Sequence, residues 1–273
     1  MDPATVSGFG YEWKTFDQKY ADPSELKKIF EQYFSIFPWE SMSVESAVAA
    51  DFGCGSGRWA IFLAPKVKHL HLIDASVEAL AVARQNLKDV TNVSYHLGSI
   101  EQSSVDDESL DFGFSLGVLH HLPDTERAVR DIAQKLKRGA PFLVYLYYAL
   151  DGRPGWYRSL WRTSDFVRKI VSHLPPPVKL LVSFSVASLV YWPLARTARW
   201  LEKLDCLPKS FPLSFYRHLS WYVMQTDALD RLGTRIEKRY TRSQISDLLT
   251  NAGFGRVTFS PSTPFWCAIA YKE

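Results

Sequence analysis

Ala50-Asp51-Phe52-Gly53-Cys54-Gly55-Ser56-Gly57 closes the apolar run Ala47–Phe52 and leads straight into a helical stretch at Arg58. Glycines at a strand-to-helix turn let the backbone approach a ligand closely, with the helix N-terminus just behind. The spacing separates two kinds of ligand. A dinucleotide fingerprint places its third glycine in a GxGxxG frame, at position 58 here, and that residue is Arg58. The loop runs GxGxG instead, with Asp51 two residues before the first glycine. An acid there repels a pyrophosphate and suits a cationic ligand. A second acid, Asp74, ends the run His69–Asp74; at the carboxyl end of a neighbouring strand it can accept from both hydroxyls of a ribose. Taken singly, Asp51 reads equally well as a turn cap and Asp74 as a cap for the helix from Ser76. The pair with the glycines between points to a ligand.

Outward from this loop the pattern repeats. Short apolar runs at Ala47–Phe52, His69–Asp74, Val93–Leu97, Leu110–Leu116 and Pro141–Tyr147 alternate with helical periodicity at Arg58–Ala64, Val77–Leu87 and Thr125–Leu136. Strands separated by helices at this spacing predict a parallel sheet with helices on both faces. Lys137-Arg138-Gly139 reads as a basic last turn followed by a stop. The alternation ceases over 148–239, which holds Pro175-Pro176-Pro177 and five of the nine tryptophans. It resumes with Thr241 as the cap of a helix to Asn251, Gly253 as its end, and strands Arg256–Ser260 and Phe265–Tyr271. Before the core, Ser24 is the expected cap of a helix through Leu26, Ile29, Phe30 and Tyr33. The expected organisation is an N-terminal helical lid segment (1–46), a ligand-binding core (47–147 with 240–273) and a helical insertion (148–239).

The 273 residues, 47% apolar and 22% charged, suffice for one large domain and exclude disorder or a disulfide scaffold. Cys54, Cys206 and Cys267 are far apart and form no CxxC pair, which argues against structural zinc and for a reducing compartment. Met1-Asp2-Pro3-Ala4-Thr5 lacks the basic and apolar blocks of an export signal, so a cytoplasmic location is expected.

Asp51-x-Gly53-x-Gly55-x-Gly57, Asp74 closing the second strand, and Ser115-Leu116-Gly117-Val118-Leu119-His120-His121-Leu122 after the fourth together resemble the class I S-adenosylmethionine-dependent methyltransferases. The nearest flavour is the small-molecule type that includes the ubiquinone and menaquinone biosynthesis methyltransferases. The resemblance covers about residues 47–147 and 240–271. It implies an α/β, Rossmann-like fold: a seven-stranded, mostly parallel sheet with the last strand antiparallel. It also implies S-adenosylmethionine as cofactor. By position, Asp51, Gly53, Cys54, Gly55 and Gly57 would line its methionine and ribose parts, Asp74 would hold the ribose, and Ala75 would flank the adenine. Ser99 and Ile100 would reach the adenine ring, although position 99 is more commonly acidic. Leu116, Gly117 and His120 would sit below the sulfonium.

Methyl transfer from a sulfonium needs alignment and water exclusion, and a general base only where the acceptor must lose a proton. His121 is the candidate base, His120 reads as a pocket residue, and His69 and His71 alternate on a strand rather than forming a metal site. No Asn/Asp-Pro-Pro-Tyr/Phe follows the fourth strand and no cysteine lies in that loop. Nucleic-acid acceptors are thereby disfavoured relative to small-molecule or lipid-like ones. A fold that keeps the cofactor pocket for another reaction, or serves as a binding subunit, is the alternative. The aromatic segment Phe9–Phe16 reads either as a lid or as a tail on the sheet edge.

Residues 148–239 hold fifteen Lys/Arg against seven Asp/Glu, and Leu180–Ala195 carries no charge. As a helix those sixteen residues span about 24 Å, short of a bilayer core of about 30 Å, and Pro193 is expected to interrupt their end. Basic flanks and tryptophans predict peripheral membrane contact through a substrate cover; burial in a homodimer interface is the competing expectation.

Overall fold

The computed structural model describes residues 2–262, 264 and 266–273; Met1, Thr263 and Phe265, the expected first residue of the last strand, lie outside the described residues. Two compact units are present: Met1–Gln18 with Leu26–Ala149 and Ile236–Glu273, and Lys19–Glu25 with Leu150–Arg235.

The first unit is built on β1 (Val48–Phe52), β2 (His69–Asp74), β3 (Val93–Leu97), β4 (Phe112–Leu116), β5 (Pro141–Tyr145), β6 (Phe254–Phe259) and β7 (Cys267–Lys272). They form one seven-stranded sheet in the order β3-β2-β1-β4-β5-β7-β6. The first five strands pair in parallel, and β7 runs antiparallel to β5 and β6. This is the expected α/β, Rossmann-like sheet. Its central strands are apolar on both faces, with Ala49, Ala50, Phe52, Leu70, Leu72, Phe112, Phe114 and Phe142 all buried, as strands covered by helices on both sides must be. Because Phe52 pairs with Ile73, the glycine loop leaves β1 level with Asp74 at the end of β2.

The flanking helices are α1 (Pro3–Thr15), α2 (Pro23–Tyr33), α3 (Ala60–Leu63), α4 (Val77–Asn86) and α5 (Thr125–Lys135). Asp2, Ser76 and Asp124 cap α1, α4 and α5 by accepting from backbone N–H groups of the first turn. Several expected boundaries shift: β4 begins at Phe112 rather than Leu110, β5 ends at Tyr145 rather than Tyr147, and β6 runs Phe254–Phe259 rather than Arg256–Ser260. Ser24 lies inside the first turn of α2, where its N–H donates to the Asp22 carboxylate at 2.8 Å. And α5 stops at Lys135, because Leu136 turns extended to bridge Leu110; Gly139, at φ +78°, then leads the chain into β5.

The second unit holds α6 (Gly155–Val171), α7 (Pro176–Val186), α8 (Trp192–Lys203) and α9 (Trp221–Gly233). Its core joins Ala187, Tyr191 and Ala195 to Tyr216, Met224 and Ala228. The Glu25 carboxylate accepts from both the N–H and the hydroxyl of Ser220 at 2.5 Å, which ties residues 19–25 to the start of α9. Pro193 does not interrupt its helix as the sequence suggested. A π turn at Ala187–Tyr191 widens the coil just before it, so α7, the turn and α8 continue as one 28-residue helix, Pro176–Lys203. The chain returns to the first unit through α10 (Arg242–Asn251), where Thr241 and Gln244 form a reciprocal capping box.

Candidate functional site

Between β2 and β4, β1 delivers the glycine loop to the carboxyl end of the sheet, where open α/β sheets place their ligands. The loop is held from below: the N–H groups of Gly53 and Cys54 both donate to Ile73 O, at 2.8 and 3.0 Å. Gly55 N–H donates to Asp74 Oδ2 at 2.9 Å, and Ser76 N–H to Asp74 Oδ1 at 2.9 Å. Burial raises the Asp74 carboxyl, opposed by these backbone donors. Two glycines are required here. Gly53 (φ +88°) faces Val118, whose methyl would lie 2.5 Å from an added Cβ, and at Gly55 (φ +52°) a Cβ would meet the Trp13 indole at 2.7 Å. Asn86 fixes the far side by donating to Ser56 O at 3.0 Å and Asp17 O at 3.1 Å.

Asp51 is 1% exposed, and its Oδ2 has no hydrogen-bond partner among the described residues. Burial, reinforced by the Asp74 charge and opposed by Arg58, pushes its carboxyl well above the usual range. The Cys54 thiol is pushed up by burial and by both acids, which makes it inert as a nucleophile. Ala75 follows Asp74 at the end of β2. Beyond β3, Gly98 N–H donates to Asp74 O, Ile100 is buried, and the buried Ser99 hydroxyl has no partner among the described residues.

After β4, Leu116 is buried and Gly117 (φ +81°) turns the chain into the two histidines. His120 is fully buried, stacks on Tyr147 at 3.9 Å, and finds no hydrogen-bond partner for either ring nitrogen among the described residues. Burial and its charged neighbours hold it well below the usual histidine range, so the ring is neutral. His121 Nδ1 lies 2.7 Å from Ile236 O; a carbonyl only accepts, so Nδ1 carries the proton and Nε2 is the basic nitrogen of the neutral ring.

The sequence did not single out the aromatic wall around these histidines. Tyr145 sits 5.1 Å from Tyr33 and 5.8 Å from Tyr147, and Tyr33 packs on Trp59 at 5.5 Å. Arg58 lies between Trp13 and Trp59, at 4.9 and 4.5 Å from their rings, and Arg239 stands 5.3 Å from Tyr147 while paired with Glu237 at 2.8 Å. One signal was available: tyrosines at alternate positions, 145 and 147, where the fifth apolar run ends. The helix α1 lies over the same end of the sheet, with Trp13 on Gly55, Phe9 5.1 Å from His121 and Gly10 against Ser76. His71 and His96 form a separate chain, His71 to His96 at 2.9 Å and His96 to Ser104 at 2.8 Å; among the described residues no group of three or more His, Cys, Asp or Glu could hold a metal.

Residues 50–144 match the family described as Methyltransferase domain. The chain is 34% identical over 101 residues to an uncharacterized methyltransferase, YcgJ, of Bacillus subtilis (strain 168), covering 36% of this chain and 40% of that one. It is 30% identical over 143 residues to phosphoethanolamine N-methyltransferase 2 of Caenorhabditis elegans, covering 50% and 31% respectively. The chain therefore spans less than half the length of these curated relatives. Among solved structures, a SAM-dependent methyltransferase of Thermotoga maritima superposes with TM-score 0.50 at 15% identity, covering 96% of this chain and 99% of that one. A chain of a Haloferax volcanii complex between the Trm112 methyltransferase activator and a methyltransferase gives TM-score 0.50 at 14% identity, covering 96% of each. These two likenesses show the fold.

The cofactor of such a domain is S-adenosylmethionine, and the residues present fit it. A buried acid with an unpartnered oxygen, an unpartnered buried hydroxyl at Ser99 and a loop whose glycines all have positive φ are what a ligand with a cationic end and a polar ring requires.

Proposed function

We propose that the chain transfers a methyl group from S-adenosylmethionine to a small or lipid-like acceptor in the cytoplasm. The observation that carries this is the buried Asp51 carboxylate, one oxygen of which has no hydrogen-bond partner among the described residues, immediately before the Asp74-locked glycine loop. When bound, the cofactor supplies a methyl group already activated on a sulfonium.

The chain's own residues do the rest. Asp74 would accept from the ribose hydroxyls with the lone pairs its backbone donors leave over, and Asp51 would meet the positive end of the cofactor. The buried, unpartnered Ser99 hydroxyl would hydrogen-bond the adenine. Neutral His120, stacked on Tyr147, closes the floor without adding a like charge under the sulfonium. The tyrosine and tryptophan rings exclude water and present π faces to cationic groups, so alignment and desolvation account for most of the acceleration. With Nδ1–H anchored on Ile236 O, His121 Nε2 can take a proton from a hydroxyl or ammonium acceptor.

Two acceptor classes deserve priority. The name of the C. elegans relative supports an amine such as a phosphobase. The loop Ser115–Leu122 resembles the quinone-biosynthesis type, which supports polyprenyl quinone precursors. The test is to incubate the chain with methyl-labelled cofactor and fractionated cell extract. Label entering a small-molecule or lipid fraction supports the proposal. Label entering nucleic acid or protein overturns the acceptor class, and tight cofactor binding without transfer to any fraction favours another reaction or a binding role.

A further inference from the structure

Among the described residues, sixteen large hydrophobic side chains are exposed, and fourteen of them belong to Lys19–Glu25 and Leu150–Arg235; the sheet unit leaves out only Val77 and Leu97. We infer that the exposed faces of α6 and of the helix Pro176–Lys203 form a docking surface for an anionic lipid bilayer, on which the protein lies without crossing it. This is independent of the methyl-transfer proposal.

The helix α6 is divided lengthwise into three stripes. Trp161, Asp165, Arg168 and Ser172, spaced by four, three and four residues, face inward; Arg168 pairs with Asp165 at 2.7 Å and donates to Thr234 O. Trp156, Leu160, Thr163, Val167 and Ile170 follow the same spacing on the outer side and are all exposed. Arg158, Arg162 and Lys169 make a third stripe, also exposed, with Lys169 paired to Asp165 at 2.9 Å and Phe166 between this stripe and the apolar one. An apolar stripe bordered by a cationic one is the pattern of a helix lying in a membrane interface.

The long helix presents the same chemistry. Its inner stripe, Ser183, Ala187, Tyr191, Ala195 and Ala198, is buried, while Leu181, Leu189 and Trp200 are 66%, 77% and 61% exposed. By length and composition it could cross a membrane, its most apolar 18-residue stretch having a mean hydropathy of 1.6. Its inner stripe is nevertheless committed to Tyr216, Met224 and Ala228 on a segment that also carries Asp227, Asp230 and Arg231. A span would have to strip that core or draw those charges into hydrocarbon. A lipid surface needs neither.

Charge selects the bilayer over a second copy of the chain. Arg158, Arg162 and Arg199 are exposed and have no ion-pair partner among the described residues, in a segment with fifteen Lys/Arg and seven Asp/Glu over 148–239. Two copies placed face to face would oppose like charges, whereas anionic headgroups complement them.

The test is flotation of the full chain with phosphatidylcholine vesicles with and without phosphatidylglycerol, at low and high salt. Expected are binding that needs the anionic lipid, weakens with salt and is released by alkaline carbonate, and quenching of tryptophan fluorescence by shallow brominated lipid. The double variant Phe166→Ser/Leu189→Ser should lower partitioning by about tenfold or more, and Arg158→Glu/Arg162→Glu should abolish the preference for phosphatidylglycerol. Unchanged S-adenosylhomocysteine affinity in both variants is the folding control. No binding at low salt, unchanged partitioning of the apolar variant, or binding that resists carbonate overturns the inference. So does a vesicle-indifferent dimer that the apolar variant converts to monomer.

Discussion

Gly55 and Asp74 are joined at the end of the sheet: the glycine N–H donates to Asp74 Oδ2 at 2.9 Å, and the other carboxylate oxygen takes the N–H of Ser76 at 2.9 Å. The acid proposed to hold the ribose thus also shapes the loop that lies along the rest of the cofactor. Asp74→Ala should weaken S-adenosylhomocysteine binding by about ten- to a hundredfold, the effect of losing a charge-assisted hydrogen bond worth roughly 1.5–3 kcal/mol. Calorimetry decides it, and unchanged affinity would remove Asp74 from the site.

The contact of Gly55 with Trp13 gives a test of whether α1 closes over the loop. In Gly55→Ala a side chain must adopt φ +52° and place its Cβ 2.7 Å from the indole. The left-handed backbone alone costs about 1–2 kcal/mol, and the clash adds to it. Trp13→Ala removes the clash and leaves the backbone strain. The double variant should therefore be more stable than the sum of the single losses predicts, as read from urea unfolding midpoints. Strict additivity would mean that α1 is not seated on the loop in solution.

The acids and glycines were legible in the sequence because one short segment carries them, and the strands were legible for a similar reason. A parallel strand covered on both faces is a bounded apolar run, as in Val48–Phe52 and Phe112–Leu116; His69–Asp74 and the edge strand Val93–Leu97 are only partly buried, yet they too begin and end where the sequence placed them. The aromatic wall was not legible, since Tyr33, Trp59, Tyr145 and Arg239 come from four distant segments that only the folded chain brings together. Pro193 misled for a local reason: proline marks a helix break unless the preceding turn is widened, and nothing in Ala187–Tyr191 announces a π turn.

The histidine chain beside β2 and β3 predicts a loss of stability in acid. Burial, with the charges of His69 and His96, lowers His71 to about 4, and burial lowers His96 and His120 in the same direction. A histidine with a depressed folded-state pKa binds its proton more readily when unfolded. Its contribution to stability is therefore complete above the unfolded value near 6.5 and is lost as the pH falls toward 4. Urea midpoints should fall between pH 7 and pH 4.5, and His71→Gln, which can keep a hydrogen bond to His96 without titrating, should flatten that dependence. An unaltered slope in the variant would place the acid sensitivity elsewhere.

The last test separates chemistry from binding at the histidine pair. His121 is fixed by its bond to Ile236 O, with Phe9 5.1 Å and Tyr147 5.6 Å away, and like His120 it is buried. If His121 Nε2 takes a proton from the acceptor, His121→Ala should lower kcat by about a hundredfold or more while leaving S-adenosylhomocysteine affinity within about twofold. His120→Ala should do the opposite, opening a cavity against Tyr147 and weakening cofactor binding along with stability. His121→Gln sharpens the comparison, since an amide can still donate to Ile236 O yet cannot serve as a base. Glutamine restoring turnover would assign His121 a positioning role and leave alignment alone to drive the transfer. Glutamine as impaired as alanine would establish it as the base.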